Sequence, residues 1–90
     1  VADLVFSARA IRSLRNAADW LHARNPDAAR RLVEDVGRTC GMLERFPMAG
    51  FAVEGTGLRC AVTLRYRYRI LYRVDAGRIA VRDILHPRRG

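Results

Sequence analysis

Arg65-Tyr66-Arg67-Tyr68-Arg69-Ile70-Leu71-Tyr72-Arg73-Val74 alternates cation with ring or aliphatic almost without a break. Side chains of a strand point to opposite faces with a period of two. As a strand, the stretch puts Tyr66, Tyr68, Ile70, Tyr72 and Val74 on a face fit for a core. Arg65, Arg67, Arg69 and Arg73 then share the other face, interrupted by Leu71. Upstream, Leu58, Cys60, Val62 and Leu64 alternate with Arg59, Ala61 and Thr63, a second half-buried strand, and a tight or irregular turn near Arg65-Tyr66 is expected between the two. Asp75-Ala76-Gly77 reads as a hairpin turn into a last strand over residues 78–85, which runs on into Ile84-Leu85-His86-Pro87-Arg88-Arg89. A basic sheet face with one late histidine predicts contact with something anionic.

The first half of the chain has the helical period instead. Leu4-Val5-Phe6 is a short strand-like run ending at Ser7, a helix N-cap type. Ile11, Leu14, Ala18 and Leu21 then mark one face of a helix over residues 8–24. Asn25-Pro26-Asp27 opens a second helix with a capping side chain, proline at the first position and acid at the positive dipole end. Ala29, Leu32, Val33, Val36, Cys40 and Leu43 form its apolar face, and Phe46-Pro47-Met48-Ala49-Gly50 ends it. Gly37 and Gly41 lie one turn apart inside it, which predicts a backbone packed against them to offset their low helix propensity. So short a link between helices predicts an antiparallel hairpin. The expected fold is α+β: an N-terminal strand and a two-helix antiparallel hairpin packed on a three- to four-stranded antiparallel sheet.

Ninety residues allow one modest core and one domain over 1–90. Seventeen arginines, no lysine and nine acids give a net charge of +8. Coding bias accounts for the missing lysines but not for the charge, which favours an anionic partner. Cys40 and Cys60 both fall on apolar faces, so two buried free thiols in a reducing, cytoplasmic setting are expected. Two cysteines and the distant His22 and His86 lack any zinc spacing. No metal, cofactor or membrane contact is expected.

The element order, FPMAG at 46–50, LR at 58–59, YRILYRV at 68–74 and the ending ILHPRRG at 84–90 resemble the RelE/ParE superfamily, the toxins of bacterial type II toxin–antitoxin modules. The resemblance implies two targets. ParE-like members poison DNA gyrase, with no hydrolytic site attributed to them. RelE-like members cleave mRNA in the ribosomal A site. Either kind arrests growth, serves roles such as plasmid stabilisation, and is silenced in a hetero-oligomer by an acidic antitoxin with a DNA-binding N-terminal domain.

Metal-free RNA cleavage needs a base for the 2′-hydroxyl, cations for the phosphorane and an acid for the leaving oxygen. By resemblance Arg69 and Arg89 match phosphate-contacting arginines of the nucleases. His86 is the one obvious proton carrier, since arginine does not deprotonate usefully. If the chain is a nuclease, Arg69, His86 and Arg89 are its catalytic residues. Against that, Ala61 and Thr63 stand where the best-studied nuclease type carries lysines, and that type's C-terminal tyrosine is not found before Gly90. His86 is therefore read first as a structural or interface residue, and His22 as surface. The expected antitoxin- or target-binding residues are Arg59, Arg65, Arg67, Arg69, Arg73, His86, Arg88, Arg89 and Trp20. A ParE-like gyrase inhibitor is the preferred reading. A ribosome-dependent endonuclease and an antitoxin-binding module without toxicity are the alternatives.

Overall fold

In the computed structural model, which describes residues 2–88, β1 (Asp3–Phe6) gives way to α1 (Ala8–Arg24) at Ser7. The Ser7 hydroxyl accepts the Ala10 amide at 3.0 Å and donates to the Arg82 carbonyl at 2.7 Å. One cap therefore also fastens the helix start to the sheet. Asn25 closes α1 through its amide, 2.6 Å from the Leu21 carbonyl. Its side chain then accepts the amides of Asp27 and Ala28 at 3.1 and 3.3 Å, opening α2 (Pro26–Arg45). With a single residue between them, the two helices must fold back on each other.

Both apolar stripes differ in part from the sequence reading. On α1 the residues packed inward are Ala10, Leu14, Ala17 and Leu21, and Ile11 is exposed. Alanine at two of these positions lets the helix approach the sheet closely, and that shifts the buried face by one residue. On α2 Ala29, Leu32, Val36, Cys40 and Leu43 are buried as expected, while Val33 faces solvent. Gly37 and Gly41 have nothing within 4 Å of where a side chain would start. No backbone packs there, so the expectation of close packing at these glycines is not met.

Four more strands follow: β2 (Phe51–Val53), β3 (Leu58–Val62), β4 (Arg69–Asp75) and β5 (Arg78–Leu85). They pair in the order β1-β5-β4-β3-β2, with β1 parallel to β5 and every other pair antiparallel. The α+β fold is the expected one. The sheet has one strand more than expected because β2, three residues long, is too short for alternation to register. It also has one parallel pair, because β1 returns beside β5. The Ala76-Gly77 turn has φ of 49° and 76°, the double left-handed conformation that matches strand twist in a two-residue hairpin. Both helices lie on one face of the sheet, over Ala61, Ile70, Tyr72, Ile79, Val81 and Ile84.

Tyr72 ties that core to the chain leaving α2. Its side chain is fully buried, its hydroxyl donates to the Pro47 carbonyl at 2.7 Å and accepts the Gly50 amide at 2.9 Å. Arg59 clasps the same segment, with Nε 2.9 Å from the Gly50 carbonyl and Nη2 3.2 Å from that of Met48. Tyr72→Phe is expected to leave the buried Gly50 amide and Pro47 carbonyl unpaired and to destabilise by about 2 kcal/mol. Urea unfolding would show it as a lower midpoint at unchanged slope.

Candidate functional site

The ten-residue basic strip does not form as one strand. Leu64, Arg65 and Tyr66 make the turn expected near Arg65-Tyr66, but β4 begins only at Arg69. The cause is Asp35, a carboxylate on the apolar side of α2 that is only 2% exposed. It accepts the Tyr66 amide at 2.7 Å and the Arg65 amide at 3.2 Å. Burial pushes the Asp35 carboxyl up. The Tyr66 amide, the Thr63 hydroxyl, the Arg65 amide and the charge of Arg38 outweigh that and hold it below its ordinary value. Thr63 and Tyr68 close the loop below the turn, through an amide-to-carbonyl bond of 2.9 Å and a Tyr68 amide donating to the Thr63 hydroxyl at 3.0 Å. Arg67 takes a φ of 62° to complete it. Arg65 and Arg67 thus stand on an exposed turn, and the expected four-arginine face is corrected to a shorter one.

That shorter face is the side of the sheet away from the helices. Alternation along the paired strands puts Arg69, Arg73 and Arg78 on it, interleaved with Leu71, Cys60, Val62 and Phe51. Arg69 faces the Cys60 thiol closely enough to oppose the upward push of burial on its pKa. The Cys40 thiol, on the helix side, is pushed up to about 11 by burial and by Glu44. Both cysteines are buried and free, and neither is a ready thiolate at neutral pH.

His86 belongs to a different place. Its ring meets Tyr68 edge-on, with centroids 5.4 Å apart at 74°. Tyr68 packs into the core on the helix side of the sheet, whereas Arg69, paired with Val62, lies on the other face. His86 Nδ1 accepts the Arg88 amide at 3.0 Å. Together with Trp20, Tyr66 and Asp83 these residues line a cleft of about 690 Å³ between α1 and the end of β5. Trp20, 58% exposed, carries the Arg24 guanidinium 3.7 Å above its ring. Asp83 accepts the Ser13 hydroxyl at 2.7 Å and so joins the cleft's two walls.

The residues singled out from sequence therefore divide among several locations. Arg69 and Arg73 share the open sheet face; Trp20, His86 and Arg88 share the cleft; Arg65 and Arg67 stand on the turn. Arg59 is engaged internally by main-chain carbonyls. Arg89 lies outside the described residues. Asp35 and Thr63 were not singled out, although an acid at position 35 sits in the same stripe as Leu32, Val36 and Leu43. A polar residue in an apolar stripe was the signal available. Among the described residues no group of three or more His, Cys, Asp or Glu could hold a metal ion. No described helix is long and apolar enough to cross a membrane.

The family described as ParE toxin of type II toxin-antitoxin system, parDE, matches residues 4–90 of this chain. A solved structure titled "Chromosomal ParDE TA system from P. aeruginosa" superposes with a TM-score of 0.82 at 22% identity. The match covers 94% of this chain and 95% of that one. At that identity the likeness establishes the fold, and the fold includes the helix hairpin and sheet described above. No curated protein matches by sequence.

Proposed function

The chain belongs to the ParE toxin family of type II toxin–antitoxin systems, and from that premise we propose that it is a gyrase inhibitor held silent by a cognate acidic antitoxin. The observation carrying this reading is the separation of the nuclease candidates. Arg69 is on the open sheet face, and His86 is on the far side against Tyr68. General acid–base cleavage needs the proton carrier within hydrogen-bond reach of the reacting phosphate that the arginine holds. Among the described residues, no histidine or tyrosine shares the face of Arg69. A binding surface fits that geometry better than a hydrolytic one does. Arg69, Arg73 and Arg78 interleaved with Leu71 and Val62 suit an acidic, amphipathic antitoxin segment, with the charges giving fast association and specificity.

His86→Ala should leave growth arrest on induction unchanged, because the ring packs and accepts an amide but moves no proton in this reading. Loss of arrest in a variant that melts normally would revive histidine catalysis. The direct test is negative supercoiling of relaxed plasmid by purified gyrase with this chain added. Loss of supercoiling at near-stoichiometric toxin is expected. Full gyrase activity together with mRNA cleavage in a translation extract would overturn the reading. In cells, labelled thymidine incorporation should fall before labelled methionine does.

A further inference from the structure

We propose that the turn carrying Leu64, Arg65 and Arg67 is a preformed plug by which this chain docks onto a folded protein. Leu64 enters an apolar pocket there, and Arg65 and Arg67 meet carboxylates on the pocket rim. The inference rests on the reading above that the chain acts by binding a protein target.

Three observations meet at this turn. Leu64 is 83% exposed, the highest value among the exposed large apolar side chains of the described residues. A leucine so placed gains nothing for the fold. The backbone beneath it is held from several sides, by Asp35 on the Arg65 and Tyr66 amides and by Thr63 on the Tyr68 amide. Lastly, Arg67 keeps a left-handed φ of 62° where glycine would be unstrained. Strain at a non-glycine residue persists where surrounding contacts over-determine it, and such residues cluster at working surfaces.

The shape and charge choose the partner. A rigid convex knob needs a concave receiver, which a folded protein offers and a flexible antitoxin tail does not. A tail is better served by a groove or a sheet face, and this chain has both elsewhere. An apolar tip flanked by two guanidinium groups complements an apolar pocket with an acidic rim, and the net charge of +8 favours approach to such a surface. A nucleic-acid reader would use the arginines and leave Leu64 with nothing to do.

Three proteins test this: the wild type, Leu64→Ser, and the double variant Arg65→Ser/Arg67→Gly. None removes a side chain that holds the turn, since Arg65 is fastened by its main-chain amide and glycine suits φ at position 67. Each should melt within a few degrees of wild type. Each is then titrated into the gyrase supercoiling assay and, separately, induced in cells for growth arrest. The expected result is a loss of inhibitory potency of about 10- to 100-fold for Leu64→Ser, the scale of one buried leucine. The double variant should lose a comparable amount. Undiminished potency and arrest in both variants would overturn the plug while leaving gyrase inhibition intact. A weak double variant beside a fully active Leu64→Ser would point to phosphate contacts and overturn the protein pocket. If wild type spares gyrase but growth arrest still depends on Leu64, the gyrase reading falls and the plug stands.

Discussion

Asp35→Ala is expected to lower the thermal midpoint by about 15–25 °C, from a loss of about 3–4 kcal/mol. The carboxylate is almost wholly buried, and both of its oxygens accept main-chain amides from a turn some thirty residues away in sequence. Alanine would leave the Arg65 and Tyr66 amides without their acceptor, and unpaired buried donors each cost about 1–3 kcal/mol. Asp35→Asn should lose less, about 2 kcal/mol, since one amide oxygen still accepts while the new NH2 faces other donors. Circular dichroism melts of the three proteins would show the order. Melting of Asp35→Ala at the wild-type temperature would show that the turn needs no carboxylate.

The same group sets a pH dependence whose sign follows from its pKa. Held below the ordinary 3.8 in the folded state, the carboxyl releases its proton more readily when folded than when unfolded. Its contribution is therefore fully present above about pH 4 to 5 and lost as pH falls through the folded value. Wild type should lose stability on acidification in that window, and Asp35→Asn should lose less. Parallel acid curves for the two proteins would contradict the assignment.

Gly50→Ala should be nearly as damaging, by about 3 kcal/mol. A methyl at position 50 would stand 2.6 Å from the Tyr72 hydroxyl and 2.7 Å from the Cys60 carbonyl. The carbonyl belongs to the β2–β3 ladder, where Phe51 pairs with Cys60, so it cannot retreat without breaking the sheet edge. Tyr72 cannot turn away either, because it is buried and bonded on both sides of the same loop. Urea unfolding measures the loss. Combining Gly50→Ala with Tyr72→Phe should cost less than the sum of the two, since both act on one contact. Strict additivity would show that the clash is absorbed elsewhere.

Why the resemblance was legible follows from the same loop. FPMAG at 46–50, LR at 58–59 and YRILYRV at 68–74 are separate in sequence. In the structure, Arg59 and Tyr72 hold the carbonyls and amide of 47–50. These three of the segments that carry the resemblance make one hydrogen-bonded joint between α2 and the sheet. They report a shared fold, which is also what the superposition establishes, and say little about which target the chain meets.

Local chemistry in the sequence determined the elements. Ser7 and Asn25 could be read as caps, Ala76-Gly77 as part of a turn, and Leu32, Val36, Cys40 and Leu43 as a buried stripe, because each signal lies within a few residues of its effect. The basic strip defeated the same reasoning. A turn near Arg65-Tyr66 is legible in the sequence, but alternation over residues 65–74 predicts one strand with four arginines on one face, and the period is real only from Arg69 onward. What broke it was a carboxylate about thirty positions earlier, competing for the amides that strand pairing would have used. The separation of Arg69 from His86 was likewise invisible in one dimension, since it depends on which face each strand position turns to once β4 and β5 pair. Short-range propensities act through the chain and can be read along it. The choice among hydrogen-bond partners and faces is made only when distant residues meet.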